Sequence, residues 1–326
     1  MSIVERALQK AKAKAAPAAD PLEPSQPVAA APEQFPEESR VSRIESRAED
    51  PLALTSRDLK AMVQIDFDHL RATGRMATAA LSDQTEEEIR RIKWPLLRAI
   101  EGSEGVVPAR NNLVLVTSAL PGEGKTFTSL NLALSIVRDR EMRVVLVDGD
   151  VARPGLTPSL GLDGRPGLND ALEDETRDIS TVTYQTDVEG LFFVPAGKWN
   201  SHAPEYFAGS RMPQLMAALS RRVGRGVVIF DSPPLLATNE AQVATRFAGQ
   251  VLIVVRAEET EQQAVLDAIA LVDKDAPISA VLNNCKPSML SRYYGQYYYG
   301  YSSKYKYRRD ENEIQGRRGS TAKGSA

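Results

Sequence analysis

The sequence has little of several things, and each shortage removes a class of function. There is one cysteine, Cys285, in 326 residues. An intrachain disulfide is therefore excluded, and a reducing compartment is expected. With only two histidines beside that cysteine, the chain is poorly equipped for a transition-metal centre. No uninterrupted apolar run comes near the ~20 residues that a membrane-spanning helix needs. The start, Met1-Ser2-Ile3-Val4-Glu5-Arg6-Ala7, lacks the apolar core of a secretory signal. The net charge of −3 gives no overall attraction to nucleic acid. A cytoplasmic protein is expected, with any membrane contact made through a partner. What remains is an ordinary globular composition, 42% hydrophobic and 25% charged, large enough for one large domain or two small ones.

The most informative stretch is Val114 to Thr126. A β-branched, apolar run stops at Ala119-Leu120-Pro121-Gly122-Glu123-Gly124-Lys125-Thr126, and a helical pattern with Leu130, Leu132, Leu134 and Ile136 follows. Strand, glycine loop and helix start form the context of a phosphate-binding loop, although Ala119 stands where the first glycine is usual. Backbone N–H groups of residues 119–127, Phe127 included, would cradle phosphates at a helix N-terminus. Lys125 would reach the outer phosphates, and the Thr126 hydroxyl would be a Mg²⁺ ligand.

Two carboxylate motifs follow. Val144-Val145-Leu146-Val147 runs into Asp148-Gly149-Asp150, and Val227-Val228-Ile229-Phe230 runs into Asp231-Ser232-Pro233-Pro234. Four apolar residues without alternation suit strands buried on both faces. Acidic residues at their C-terminal ends lie where open α/β sheets bind ligands. Further strands are expected at 191–194, 251–255 and 278–282, the last ending at Asn283, with a helix at 260–272. Alternating strand and helix predicts an α/β, P-loop NTPase fold: a mostly parallel sheet with helices on both faces.

Around this core, expected at 85–290, the organisation is less regular. Residues 1–15 read as a short amphipathic segment, either a frayed terminus or a docking peptide. Residues 16–52, rich in Ala, Pro, Glu and Ser, read as a disordered linker. Residues 53–84 read as an accessory strand and turn. A charged helix is expected to open at Thr85 and bend at Pro95. Glu87, Arg90 and Lys93 recur on it every three residues, as one solvated face or as a ladder between subunits.

The segment 291–326 holds eight of the ten tyrosines: Tyr293, Tyr294, Tyr297, Tyr298, Tyr299, Tyr301, Tyr305 and Tyr307. Glycine, serine, glutamine and lysine between them predict a flexible tail. Three readings compete: stacking on single-stranded nucleic acid, adhesive low-complexity sequence, or a string of phenol acceptors for phosphoryl transfer. The nucleotide motif upstream favours the third.

Taken together, the phosphate loop, Asp148-Gly149-Asp150, Asp231-Ser232-Pro233-Pro234 and the tyrosine cluster resemble the bacterial tyrosine kinases (BY-kinases) that regulate capsule and exopolysaccharide synthesis. The start, Met1 to Leu8, and Glu87-Glu88-Ile89-Arg90-Arg91-Ile92-Lys93 resemble the exosortase-associated branch. The resemblance implies an ATP- and Mg²⁺-dependent tyrosine autokinase acting between subunits. Lys125 and Thr126 would hold phosphates and metal, Asp148 and Asp231 would lie near Mg²⁺, and Asp150 would orient or deprotonate the incoming tyrosine. It further implies that Asn283 lies near the base, and that Glu87, Arg90 and Lys93 form an oligomerisation motif, with lysine in a place arginine usually takes. Ala152 stands where the family's second aspartate motif carries arginine, with Arg153 one residue later. Implied partners are other copies in a ring that dissociates on phosphorylation, a membrane-embedded polysaccharide co-polymerase as activator, and a tyrosine phosphatase, with no nucleic acid. The competing reading within the same fold is a partition or septum-positioning ATPase, whose extra early lysine is Leu120 here.

Overall fold

The computed structural model describes residues 60–78, 82–101, 112–138 and 142–285. Its centre is an eight-stranded sheet. The strands are β1 (Lys60–Val63), β2 (Leu113–Ser118), β3 (Arg143–Asp148), β4 (Tyr184–Thr186), β5 (Leu191–Val194), β6 (Gly226–Asp231), β7 (Gln250–Arg256) and β8 (Ile278–Asn283). They lie in the order β1-β4-β5-β3-β6-β2-β7-β8. All neighbours pair in parallel except β4 and β5, which are antiparallel. The mostly parallel α/β sheet expected from the pattern is present.

Uninterrupted apolar strands are buried strands because both faces of this sheet are covered. Alternate residues part into two cores. On one face Leu115, Val145, Val147, Val228, Phe230 and Ile253 pack under α7 (Arg211–Arg222), where Met212, Leu215 and Leu219 point inward. On the other, Val116, Val144, Leu146, Ile229 and Val254 pack under α3 (Lys125–Val137) through Leu130, Leu134 and Ile136, and under α2 (Ser82–Glu101) through Ile89, Leu96 and Leu97. Each fully buried aliphatic or aromatic side chain contributes about 1.5–3 kcal/mol relative to exposure, so these strands have no alternative place in water.

The remaining elements are α1 (Phe67–Ala72), α4 (Leu156–Ser159), α5 (Leu168–Glu173), α6 (Ala203–Ala208), α8 (Asn239–Thr245) and α9 (Gln262–Ala270), with a 3-10 turn at Ile179–Val182. Departures from expectation include α1, a helix where the accessory segment reads as a strand and turn, and two further elements. β4 has three residues, Tyr-Gln-Thr, too few to carry a periodic signal. α2 begins at Ser82 rather than Thr85 and continues through Pro95. Proline removes the N–H that would reach the carbonyl four residues back. Here that carbonyl belongs to Arg91, an exposed residue, so water can take the bond.

The three-residue ladder on α2 does not form one face. Arg90 is exposed and pairs with Glu86 at 3.3 Å, and Glu87 pairs with Arg91 at 3.0 Å. Lys93 is only 4% exposed, and its ammonium donates to the Ser135 carbonyl of α3 at 3.1 Å. The reason is helical geometry. Three residues advance about 300°, so a three-residue repeat drifts about 60° per step. Two steps carry Lys93 out of the solvated side and onto the core. Arg138, at the end of α3, adds a second tie between the two helices by pairing with Glu86 at 2.8 Å, which holds that carboxyl below its ordinary range.

Candidate nucleotide site

β2 ends at Ser118 and α3 starts at Lys125, leaving six residues to turn the chain. Gly122 and Gly124 adopt φ of 81° and 99°, the left-handed region that side chains avoid. Gly124 is also the N-cap of α3 and offers no side-chain cap to its first amides. Those orphan donors therefore stay available to an external acceptor, which is the physical basis of anion binding at a helix start. A Cβ on Gly124 would overlap the Asn283 amide, which donates to the Glu123 carbonyl at 2.9 Å. Asn283 thus touches the back of the loop from the end of β8. Lys125, Thr126 and Phe127 are half-buried, and Leu120, Pro121 and Gly122 are exposed. Ala119 is buried, and its carbonyl accepts from the Leu236 N–H at 3.3 Å. Glu123 is different: it stands in the loop, but its carboxylate is turned into the protein.

The two carboxylate motifs meet beside this loop. β3 and β6 are neighbours in a register that pairs Asp148 with Asp231. Both are essentially fully buried. One Asp148 oxygen, Oδ2, accepts from the Leu156 N–H at 3.0 Å, the Thr157 N–H at 2.7 Å and the Thr157 hydroxyl at 2.8 Å. The other, Oδ1, is buried with no hydrogen-bond partner. Asp231 accepts from the Ser129 hydroxyl at 3.0 Å, and the nearby Thr126 hydroxyl acts to lower its pKa. Gly149 lies between the acidic residues of Asp148-Gly149-Asp150 because a Cβ there would meet the Phe230 ring and the Asp231 carbonyl.

These surroundings fit a Mg²⁺ ion that arrives with a nucleotide. A buried carboxylate oxygen without a partner, a second buried carboxylate beside it and the Thr126 hydroxyl are hard oxygen donors. Among the described residues no group of three His, Cys, Asp or Glu gathers to hold a metal. Mg²⁺ in phosphoryl-transfer sites does not need one, since water and phosphate supply most of its ligands.

Without such an ion the site is electrostatically costly. Burial raises the Asp148 pKa to about 7, and Asp231 beside it adds to the shift. Burial also raises Asp231, to about 6, against the pull of Lys125 and the hydroxyls of Thr126 and Ser129. The sign for stability follows. Below pH ~4 Asp148 is protonated whether the chain is folded or not. As pH rises, the unfolded chain releases its proton while the folded chain keeps it, so stability falls by about 1.4 kcal/mol per pH unit, until the folded group also ionises. The Asp148→Asn variant loses this contribution and keeps only that of Asp231, which its amide NH₂ can face. Nucleotide-free Asp148→Asn protein should therefore gain on the wild type between pH ~4 and about 7, by a few kcal/mol in all. Thermal melts across that range check this; a pH-independent difference would contradict the assignment.

Asp150 sits at the mouth, half-exposed, with one oxygen accepting from the Arg153 N–H at 3.1 Å. Burial raises its pKa, opposed by the Arg153 amide and by Lys125. Ala152 and Arg153 are exposed. The structure thus brings Lys125, Thr126, Asp148, Asp150 and Asp231 to one end of the sheet. Sequence reasoning missed Ser129 and Thr157. Ser129 lies one helical turn after Thr126, a spacing that could have shown it; Thr157 follows Asp148 by nine residues across an irregular loop and left no signal. The eight tail tyrosines, the 1–15 segment and the 16–52 linker lie outside the described residues.

No protein-family model matches the chain. EpsB of Ralstonia nicotianae, whose name assigns it to the tyrosine-protein kinases, is 32% identical over 256 residues, covering 74% of this chain and 33% of that protein. Among solved structures, the BceF tyrosine kinase domain superposes with a TM-score of 0.53 at 26% identity, covering 68% of this chain and 92% of that one. The VpsO kinase domain gives 0.52 at 26% identity, covering 64% and 100%. The chain spans about a third of the length of the first curated relatives it matches.

Proposed function

Given that the chain belongs to the bacterial tyrosine-protein kinase family, we propose that it transfers the γ-phosphate of ATP to tyrosines of its own C-terminal cluster, from one subunit to its neighbour, and so regulates exopolysaccharide synthesis or export. The observation that carries this reading is the meeting of the phosphate loop, with Lys125 at its exit, and two buried carboxylates on adjacent strand ends. The tyrosine-rich segment supplies the matching acceptors.

Each residue has a separable task. Loop amides and the N-terminus of α3 bind the phosphates. Lys125 neutralises charge on the outer phosphates as the bond to the leaving oxygen lengthens. Thr126, Asp148 and Asp231 would hold Mg²⁺, which would supply positive charge to offset that of the phosphates. Asp150 accepts the phenol proton as the tyrosine oxygen bonds to the γ-phosphorus and ADP leaves. A free phenol has a pKa near ~10 and is scarcely ionised at neutral pH, so this proton transfer matters. Most of the remaining rate comes from holding the two oxygens in line.

Each phosphate adds about −1.5 to −2 charges. Several on one tail would repel each other and the acidic mouth, which favours release of the modified tail and dissociation of the assembly. A phosphatase would then reset the cycle. Among the described residues no helix is long and apolar enough to cross a membrane. In this proposal a polysaccharide co-polymerase provides the membrane association and also activates the kinase.

The test mixes two chains: a Lys125→Met chain with its tail, and an otherwise intact chain truncated before Tyr293, with Mg-ATP and the activator. Mass spectrometry should find phosphotyrosine on the first chain. ATP consumed with no phosphotyrosine formed would end the proposal.

A further inference from the structure

Glu123 lies between the two left-handed glycines of the phosphate loop, yet is 2% exposed. One carboxylate oxygen accepts from the Leu120 N–H at 2.7 Å. The other accepts from the Arg256 N–H at 3.4 Å and from the Thr260 hydroxyl, 137 residues away in sequence. These donors belong to two segments: Leu120 to the near side of the loop, Arg256 and Thr260 to the end of β7 and the turn that follows it. The backbone of Glu123 reaches a third, since its carbonyl receives the Asn283 amide. Asn283 in turn accepts the Ala257 N–H at 2.9 Å, which closes a ring of contacts around the loop. The turn itself is constrained, with Glu258 at φ 65°.

Two effects of this carboxylate oppose each other. A negative charge in a phosphate loop repels phosphate. Against that, its oxygens already face three donors, and such charge-assisted bonds are short and directional. The Leu120 N–H is spent on Glu123, so the phosphate nest consists of the amides that follow it. We propose that Glu123, anchored on Thr260, is a positioning residue: it holds the loop in the shape that presents the amides of Gly122 to Thr126 to a nucleotide. This rests on the nucleotide-site reading above and assigns Thr260, which no motif points to, a share in that site.

The experiment titrates the full chain with Mg²⁺ and a fluorescent ADP analogue, alongside thermal melts without nucleotide. Glu123→Ala should weaken binding about tenfold, the scale of one charge-assisted hydrogen bond. Thr260→Val, which keeps the shape and loses the hydroxyl, should weaken it about threefold. Thr260→Ser, which restores the hydroxyl, should bind as the wild type does. The Glu123→Ala/Thr260→Val pair should be no weaker than Glu123→Ala alone, since the two act through one contact. A purely structural role would lower the nucleotide-free melting temperature and leave the affinity of the folded protein alone. Unchanged affinity in Thr260→Val, or tighter binding in Glu123→Ala because repulsion dominates, would overturn the inference while the wild type still binds. Failure of the wild type to bind would remove the nucleotide site itself, and the inference with it.

Discussion

Replacing Lys125 by methionine should lower tyrosine phosphorylation by about a hundredfold to a thousandfold, with the fold intact. Lys125 is the first residue of α3, and its charge reaches both Asp150 and Asp231, lowering the pKa of each. Methionine is close to it in length and a good helix former, so α3 loses little. In the proposed role, what goes is a cation that offsets phosphate charge, and removing one preorganised stabiliser of transition-state charge costs about 10²–10³-fold. A second consequence distinguishes this from general damage. Without the ammonium, Asp150 and Asp231 lose an influence that favours their ionised forms, so both should titrate higher. Phosphotyrosine measured by quantitative mass spectrometry, with a thermal melt as control, checks the expectation. Labelling within a few-fold of wild type would remove the phosphate-loop assignment.

Replacing Asp150 by asparagine should cost about 10²–10⁴-fold in the transfer step, the usual contribution of a positioned general base. Nucleotide affinity should stay within about twofold, since the proposed role gives Asp150 the phenol proton and no part in holding the phosphates. Asparagine keeps the shape and can still accept from the Arg153 N–H. It cannot take a proton. Because burial raises the Asp150 pKa, the group lies nearer the working pH than a free carboxylate does. Its basic form is lost as pH falls through that raised value, so wild-type transfer should decline on the acid side and the variant's residual rate should lack that limb. Single-turnover kinetics across pH, with nucleotide titrations, separate the two quantities. A loss found in affinity instead of rate would make Asp150 a nucleotide ligand, not a base.

Much of the site was legible because its residues are close in sequence to the strands that place them. Ala119 to Thr126 and Asp148-Gly149-Asp150 follow directly from apolar runs, and a strand buried on both faces must deliver its next residue to the end of the sheet. Asp148 and Asp231 could be assigned to strand ends for the same reason. Their adjacency could not, since it requires β6 to insert between β3 and β2, and nothing in either strand specifies its neighbour.

Glu123 and Lys93 show the limit from the other direction. Both belong to polar motifs: Glu123 to the phosphate loop, and Lys93 to a repeat that reads as a solvated face or a ladder between subunits. In the structure both are buried, because distant segments supply their partners: Thr260 and Arg256 for Glu123, the Ser135 carbonyl for Lys93. Sequence alone determined the α/β class, the phosphate loop and the acidic strand ends, since these depend on hydrophobic run length, glycine backbone freedom and local order. Only the tertiary structure decided which polar side chains turn inward. A buried charge persists only where donors or acceptors from elsewhere in the chain converge on it, and that convergence is a property of packing.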